Sequence, residues 1–364
     1  MSGSKRKELT HDEAVQETYR LTPQIRDIDE LLAPSRMRWL PYTMFFQHKN
    51  FVSKAINTDD MGFRLTTAHG KVYRVSEVHD EPVNLLVGSS TAMGTGSASD
   101  AYTIASRLAH HRKEPWLNFA ARAYNSTQEI ILFLMHMHRF KKIDKVIILS
   151  GMNNFVLEGL PEQLRSDHGQ YYYSYEYMHY MTMYNEEQGR KKQSLLQRLT
   201  NAVNDKAEPI FTDEGVDTPT RIRRCVDATT RALVQWKSLL APHNASLDFV
   251  LQPLTTWTKN EFTPEEEDII HATDSCPNNF WRLFGNILGR EVYPQYCGGL
   301  KEGCTELGIP FYDSNELIRG SDFYRDYIFV DRMHLNDHGY DGMARLLDKH
   351  VLPPSGSTRG TVRP

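Results

Sequence analysis

The sequence has few cysteines and none of the spacings that cysteine clusters use. Four cysteines occur in 364 residues, and no two of them are separated by only two residues, as a zinc or redox motif would require. We therefore expect free thiols in a reducing compartment, the usual state of cysteine in intracellular proteins. A disulfide between Cys297 and Cys304 stays open as the alternative.

Long apolar segments are also missing. No stretch approaches the roughly 20 consecutive apolar residues of a membrane-spanning helix, and the most apolar helical candidate, ILFLMHMHRF, is short and ends in charge. The first residues, MSGSKRKELTHDE, are polar and lack the apolar core of a secretory signal. These absences predict a cytoplasmic protein with no membrane span.

Neither sign of charge dominates the composition. Lys and Arg total 42 and Asp and Glu total 46, which gives a formal net charge of -4. Nucleic acids and anionic membranes attract positively charged proteins, so we expect neither as a partner. A chain of this length that is 40% hydrophobic can bury a sizeable core, which predicts one domain with insertions. The oligomeric state stays unknown at this point.

Short apolar runs alternate with helical patterns along the middle and end of the chain. Such alternation is typical of an α/β protein with a parallel sheet whose two faces are covered by helices. The sequence therefore predicts a three-layer, doubly wound, flavodoxin-like sheet of about five strands. The predicted strands are Val83–Val87, Trp116–Phe119, Lys145–Leu149, Leu247–Leu251 and Ile309–Tyr312.

Capping residues and apolar periodicity predict the helices between these strands. Ser99 is expected to begin a helix whose apolar face includes Ile104 and Leu108. Ser126 and Glu129 fit a capping box. Thr218-Pro219 opens a long amphipathic pattern, because proline is favoured in the first helical turn. A last helix is predicted over residues 338–350.

The remaining segments are assigned to the periphery of this domain. Residues 1–20 are expected to be disordered, residues 21–82 to form an extension packed on the core, and residues 351–364 to be a flexible tail. The core domain then spans residues 83–350, with insertions at about 155–215 and 255–305. Insertions in this fold commonly lie near the carboxyl ends of the strands, so both are candidate cap elements. The alternative for the Tyr/Met-rich first insertion is packing on the core or on a partner subunit.

Two polar segments follow the first and third predicted strands. Gly88-Ser89-Ser90 makes a sharp turn that would expose Ser90 above the sheet near backbone amides, which suits a nucleophile. Gly151-Met152-Asn153 would project the Asn153 amide into the same crevice, where it could stabilise a developing oxyanion. Gly-Ser-Ser turns are common, however, and asparagine after a strand is often only a helix cap.

Two further segments complete the set. The stretch from Leu117 to Ser126 leads from a strand to a helix, and its free amides could donate to an anion. Asp331 and His334 are three residues apart, so on one helical turn they would face the same side. The carboxylate would orient the imidazole for proton transfer. A surface Asp–His pair is the alternative, and His338 is a competing histidine that fits the last helix better.

The four segments, in this order and on these elements, resemble the SGNH (GDSL-like) serine hydrolase family. The resemblance covers residues 83–154 and 245–350. It implies Ser90 as nucleophile, His334 as base and Asp331 as orienter. It also implies an oxyanion hole formed by the Asn153 side chain and the Ser90 and Ala123 amides. Ser89 replaces the family's usual aspartate before the nucleophile, and Ala123 replaces a glycine, which matters if that position needs a positive φ.

The resemblance implies that the protein is an ester hydrolase that needs no metal and no organic cofactor. We expect the substrate to be a small O-acyl ester of a glycan or a specialised metabolite. This rests partly on the Met61–Arg64 and Met93–Gly96 segments, which look similar to family members of bacterial polysaccharide or natural-product pathways. An O-acyltransferase with the same residues and a catalytically silent binding protein are the alternatives. The substrate-binding residues are unknown from sequence.

Overall fold

Two short helices and two hairpins precede the central sheet. The computed structural model describes residues 8–33, 35–192, 215–276, 281, 284–285 and 287–352. The first elements are α1 (His11–Leu21), α2 (Gln24–Leu31) and the antiparallel hairpins β1 (Arg38–Leu40) with β2 (Met44–Phe46) and β3 (Thr66–Ala68) with β4 (Lys71–Tyr73). Together they line the core domain rather than forming a second core.

Helix α1 corrects the expectation that residues 1–20 are disordered. Thr10 and Glu13 form a reciprocal capping box at its start, which satisfies two backbone donors that the helix itself leaves unpaired. Ala14 is fully buried, and the helix packs against residues 264–274. The expectation is therefore wrong for residues 11–20, because local capping and one buried face stabilise a helix there. Residues 1–7 lie outside the described part of the chain.

The central sheet has five parallel strands. They lie in the order β6-β5-β7-β8-β9, which is the 2-1-3-4-5 order of flavodoxin-like folds. This confirms the predicted fold class. The first four predicted strands are found within one or two residues of their predicted bounds, and the fifth begins two residues late. The strands are β5 (Val83–Gly88), β6 (Trp116–Ala120), β7 (Ile143–Ser150), β8 (Ser246–Leu251) and β9 (Phe311–Asp313).

Helices cover both faces of the sheet. Alternate residues of β5 enter two different cores, Leu85 one and Leu86 the other, since successive side chains of a strand point to opposite faces. The helices after the hairpins are α3 (Ser90–Met93), α4 (Ile104–Arg112), α5 (Ser126–His136), α6 (Met152–Leu157), α7 (Ser174–Lys192), α8 (Thr218–Leu240), α9 (Thr255–Thr258), α10 (Pro264–Asp274), α11 (Tyr293–Glu306), α12 (Ser314–Arg319) and α13 (Asp337–His350). Helices α5, α8 and α11 cover one face, and α4 and α13 cover the other.

Two of the predicted helix starts are displaced. Ser99 precedes only a short 3-10 turn, and α4 is capped by Thr103. The capping box of α5 is made by Asn125 and Gln128 rather than by Ser126 and Glu129. Asn125 and Gln128 have the same spacing as Ser126 and Glu129 but lie one residue earlier. Glu129 is therefore not a capping residue, and its side chain is buried in the first turn of α5.

The peripheral segments differ from expectation at their ends. Val351 and Leu352 are buried, so the segment expected to be a flexible tail begins with two residues of the core, and residues 353–364 lie outside the described part. In the first insertion, residues 193–214 also lie outside it. All four cysteines are free, Cys297 and Cys304 included, which excludes the alternative disulfide in this structure. No helix among the described residues is long and apolar enough to span a bilayer.

Candidate active site

The carboxyl ends of the parallel strands bring the four sequence segments together. Ser90 begins α3 directly after β5. The turn depends on Gly88, whose φ is +151°, because a Cβ there would lie 2.1 Å from the carbonyl oxygen of Leu149. Since β5 and β7 are the strands between which the connections change direction, the edge beside them is where ligands bind in this fold class.

Ser90, His334 and Asp331 form a continuous hydrogen-bonded chain. His334 Nε2 lies 2.7 Å from Ser90 Oγ, and His334 Nδ1 lies 2.6 Å from Asp331 Oδ2. Ser90 is 6% exposed and His334 is 8% exposed, so the contact between them is largely shielded from water. A carboxylate beside Nδ1 favours the tautomer with its proton there, which leaves Nε2 to accept the proton of the serine hydroxyl.

The spacing of Asp331 and His334 predicted that one helical turn pairs them. The structure shows the pair but no helical turn. Residues 331–334 form an irregular loop before α13, in which Asp331 Oδ1 accepts the backbone N–H groups of Met333 and His334, each at 2.7 Å. This local turn aims the other carboxylate oxygen at the imidazole. Burial alone would raise the pKa of Asp331, but the imidazole and the two N–H donors outweigh it and hold the pKa below its usual value.

Ala123 has an unusual backbone conformation, at the position where the resemblance implies a glycine. Its φ is +60°, in the left-handed region that favours glycine. Its N–H makes no hydrogen bond with any residue in the described part of the chain, and the residue lines the same cavity as Ser90. The Ser90 N–H lies in the first turn of α3, where a helix supplies no acceptor. Ser90 and Ala123 both line this cavity, so their N–H groups are candidate donors to a ligand bound there.

Asn153 lies inside the first turn of α6 and is not its cap, which is Gly151. Its Nδ2 donates to the carbonyl oxygen of Tyr124 at 2.8 Å, and this leaves the second hydrogen of the amide for another acceptor. Asn154 points elsewhere and bonds Ser126 and Thr229. The helix-cap alternative is thus excluded for both asparagines.

The cavity above these groups has a volume of about 450 Å³. Ser90, His334, Ala123 and Asn153 line it together with residues of the N-terminal helices and of the second insertion. The other lining residues are Val15, Thr18, Tyr19, Asp29, Arg122, Tyr172, Thr273, Asp274, Cys276, Asp331, Arg332 and Met333. The segments outside the sheet therefore form the walls of the cavity.

The sequence analysis did not identify Gln252, a fully buried glutamine that links the turn of Ser90 to the loop of His334. Ser89 Oγ donates to Gln252 Oε1 at 3.2 Å, and Gln252 Nε2 donates to Thr91 Oγ1 at 3.3 Å. Thr91 Oγ1 in turn donates to the carbonyl oxygen of Met333 at 3.3 Å. Both neighbours of Ser90 are thereby tied to the loop that carries His334. The signal in the sequence was a polar residue directly after the predicted strand Leu247–Leu251.

The competing histidine lies outside the site. His338 Nε2 is 2.8 Å from Asp326 Oδ2 on an exposed surface of the last helix, as the sequence had favoured. Within the part of the chain that the structure describes, no group of three or more His, Cys, Asp or Glu side chains is arranged to hold a metal ion.

No family model and no curated protein sequence matches the chain. The chain is similar to the solved structure of a lipolytic protein of the G-D-S-L family from Veillonella parvula. The two are 12% identical, the match covers 74% of this chain and 98% of that one, and the TM-score is 0.39.

Two further solved structures are similar to a comparable degree. A lipase/acylhydrolase from Enterococcus faecalis is 11% identical, with 76% of this chain and 100% of that chain covered and a TM-score of 0.38. A mutant of an acetyl-xylooligosaccharide esterase from Geobacillus Stearmophilus is 13% identical, with 76% and 97% covered and a TM-score of 0.38.

Proposed function

We propose that this protein is a serine-dependent ester hydrolase of the SGNH type. The observation that carries the proposal is the chain of contacts from Asp331 through His334 to Ser90, at 2.6 and 2.7 Å. Both distances are short enough for direct hydrogen bonds. The same three side chains line a cavity large enough for a small molecule.

Ser90 Oγ attacks the ester carbonyl carbon while His334 Nε2 takes the hydroxyl proton. His334 then gives that proton to the departing alcohol oxygen as its bond to the acyl carbon breaks, which leaves an acyl group on Ser90. Water attacks this acyl ester, with His334 again accepting the proton, and the acid leaves as the Ser90 hydroxyl is restored. Asp331 stabilises the imidazolium that forms in each half of the reaction.

We infer that three donors stabilise the oxyanion of each tetrahedral intermediate. They are the backbone N–H groups of Ser90 and Ala123 and the unused amide hydrogen of Asn153. Donors that are already fixed in place need no reorganisation as the negative charge develops, so they lower the barrier more than water does. The bond from Asn153 to the Tyr124 carbonyl supports this role because it fixes the orientation of the amide.

The substrate we propose is a small O-acyl ester of a glycan or a specialised metabolite. A cavity of about 450 Å³ lies in the range of small-molecule sites. Its lining also includes several charged and hydroxyl-bearing side chains beside the triad, which favours a polar alcohol or acyl part over a long alkyl chain.

Hydrolysis of 4-nitrophenyl acetate and of acetylated sugars tests the proposal. Ser90→Ala and His334→Ala are each expected to lower kcat by about 10³-fold or more, and the double variant little further, because the two residues act as a unit. His338→Ala is the matched control, since this histidine pairs with Asp326 outside the site. Unchanged turnover in Ser90→Ala would refute the proposal, and acyl transfer to an added alcohol in preference to water would replace hydrolase by acyltransferase.

A further inference from the structure

Arg122 precedes the Ala123 amide and lines the cavity beside the triad. Its side chain is half-buried, and it also borders a small apolar recess formed by residues including Leu31 and Phe45. Its guanidinium forms no hydrogen bond and no ion pair with any residue that the structure describes. A permanent positive charge with five N–H donors is thus held at the active site without an acceptor.

The other charges of the cavity are engaged. Arg332 pairs with Asp274 at 2.5 Å and lies 4.4 Å from the ring centre of Trp281. The Asp331 carboxylate is occupied by His334 and by two backbone N–H groups. Of the two arginines in the cavity wall, Arg122 is therefore the one whose charge is not matched by a directly bound carboxylate.

Asp29 is the acidic side chain whose field reaches Arg122, but it does not pair with it. The Asp29 carboxylate accepts the hydroxyl of Tyr19 at 3.1 Å. Loss of hydration raises the pKa of this carboxyl, and the Tyr19 hydroxyl and the Arg122 charge oppose this rise only in part. Asp29 consequently leaves most of the hydrogen-bonding capacity of Arg122 unused.

A guanidinium that has lost part of its hydration without gaining a partner raises the free energy of the empty site. A ligand carboxylate offers two oxygens that match the two parallel N–H groups of the fork. We propose that Arg122 binds an anionic group of the substrate, a carboxylate in the first instance, so that the enzyme selects esters that carry a negative charge. This proposal rests on the ester hydrolase function proposed above and specifies its substrate class.

The charged group could belong to the acyl part or to the alcohol part, and matched ester pairs separate the two. The acyl pair is the 4-nitrophenyl monoester of adipic acid, whose carboxylate is too distant to attack its own ester readily, and 4-nitrophenyl hexanoate. The alcohol pair is 4-acetoxybenzoate and 4-methylphenyl acetate. Within each pair the members differ chiefly in the carboxylate, so the ratio of their kcat/KM values isolates its recognition.

In the wild-type enzyme we expect one pair to favour the charged ester. Arg122→Gln should lower that ratio about tenfold or more, as loss of a hydrogen bond to a charged group does, and Arg122→Glu should reverse the preference. Arg345→Gln is the control, because Arg345 lies on α13 and pairs with Asp341 away from the cavity. Equal losses on both members of each pair in Arg122→Gln would overturn the proposal and show that Arg122 merely supports the Ala123 turn.

Binding measurements test the anion site even if the protein hydrolyses none of these esters. Calorimetric titration of the Ser90→Ala variant with 4-acetoxybenzoate and with 4-methylphenyl acetate measures recognition without cleavage, as does titration with the acyl pair. Tighter binding of a charged ester that disappears when Arg122→Gln is added would support the anion site even though the hydrolase proposal had failed. Equal affinities for charged and neutral esters would overturn the anion site whatever the outcome for turnover.

Discussion

Glu129 is a buried carboxyl group directly behind the turn that carries Asn153. Its Oε1 accepts the hydroxyl of Ser150, the last residue of β7, at 2.7 Å. Its Oε2 is buried and has no hydrogen-bond partner among the described residues. Burial raises the pKa of Glu129 to about 8, and the Ser150 hydroxyl only partly opposes this. Glu129 is therefore expected to be protonated in the folded protein at neutral pH.

The linked change in stability follows from the sign of this shift. A carboxyl whose pKa is higher in the folded state contributes its full stability below the unfolded pKa of about 4.5, and that contribution is lost as pH rises toward 8. A shift of this size corresponds to a ceiling of about 4 kcal/mol at pH 8. Glu129→Gln keeps the shape and the acceptor for Ser150 but cannot ionise, so it should escape this loss.

Urea denaturation of wild-type protein and Glu129→Gln at pH 5 and pH 8 measures the effect. We expect the variant to be about as stable as the wild type, or slightly less stable, at pH 5 and more stable by up to about 4 kcal/mol at pH 8. Other titrating groups change both proteins alike and cancel in the difference. A difference in unfolding free energy that stays the same at both pH values would refute the reasoning and place an ionised carboxylate at this site.

Three further variants test the groups around the nucleophile. Ala123→Gly should raise the free energy of unfolding by up to about 1 kcal/mol, since glycine tolerates φ of +60°, whereas a loss of stability would mean that the methyl group packs usefully. Asn153→Ala should lower kcat by about 10²–10³-fold with little change in KM, and a change in KM alone would assign it to ground-state binding. Gln252→Leu leaves Ser89 and Thr91 without their partner, so unfolding free energy should fall by about 1–3 kcal/mol and kcat should fall with it. An unchanged kcat would show that the Ser–His contact is held without this glutamine.

The sequence predicted the sheet well because its strands carry unmistakable local signals. Buried parallel strands read as short apolar runs, as in Val83–Val87 and Lys145–Leu149, and the glycines after them mark where the chain must turn. The location of the three segments at strand ends then follows from the fold class, since the carboxyl ends of parallel strands share one edge. At Ala123 the sequence raised only the question of a positive φ, and the structure answers it with a φ of +60°.

What the sequence did not reveal depends on contacts between distant segments. Helix α1 was missed because the polar composition of the first residues was interpreted as disorder, although a capping box and an amphipathic pattern are present. Gln252 and Arg122 have no pattern of their own, since their surroundings combine residues more than 70 positions apart. The Asp331–His334 spacing was interpreted correctly as a pair but with the wrong backbone, because an aspartate turn and a helical turn both join residues three apart.

Covalent labelling tests the central claim, an activated serine at position 90, most directly. A fluorophosphonate reacts with a serine hydroxyl whose proton is withdrawn by a neighbouring base. Peptide mass mapping should find the adduct on Ser90 alone, with labelling slowed strongly in His334→Ala and retained in the His338→Ala control. Labelling of a different serine, or equal labelling rates in the wild type and in His334→Ala, would contradict the account.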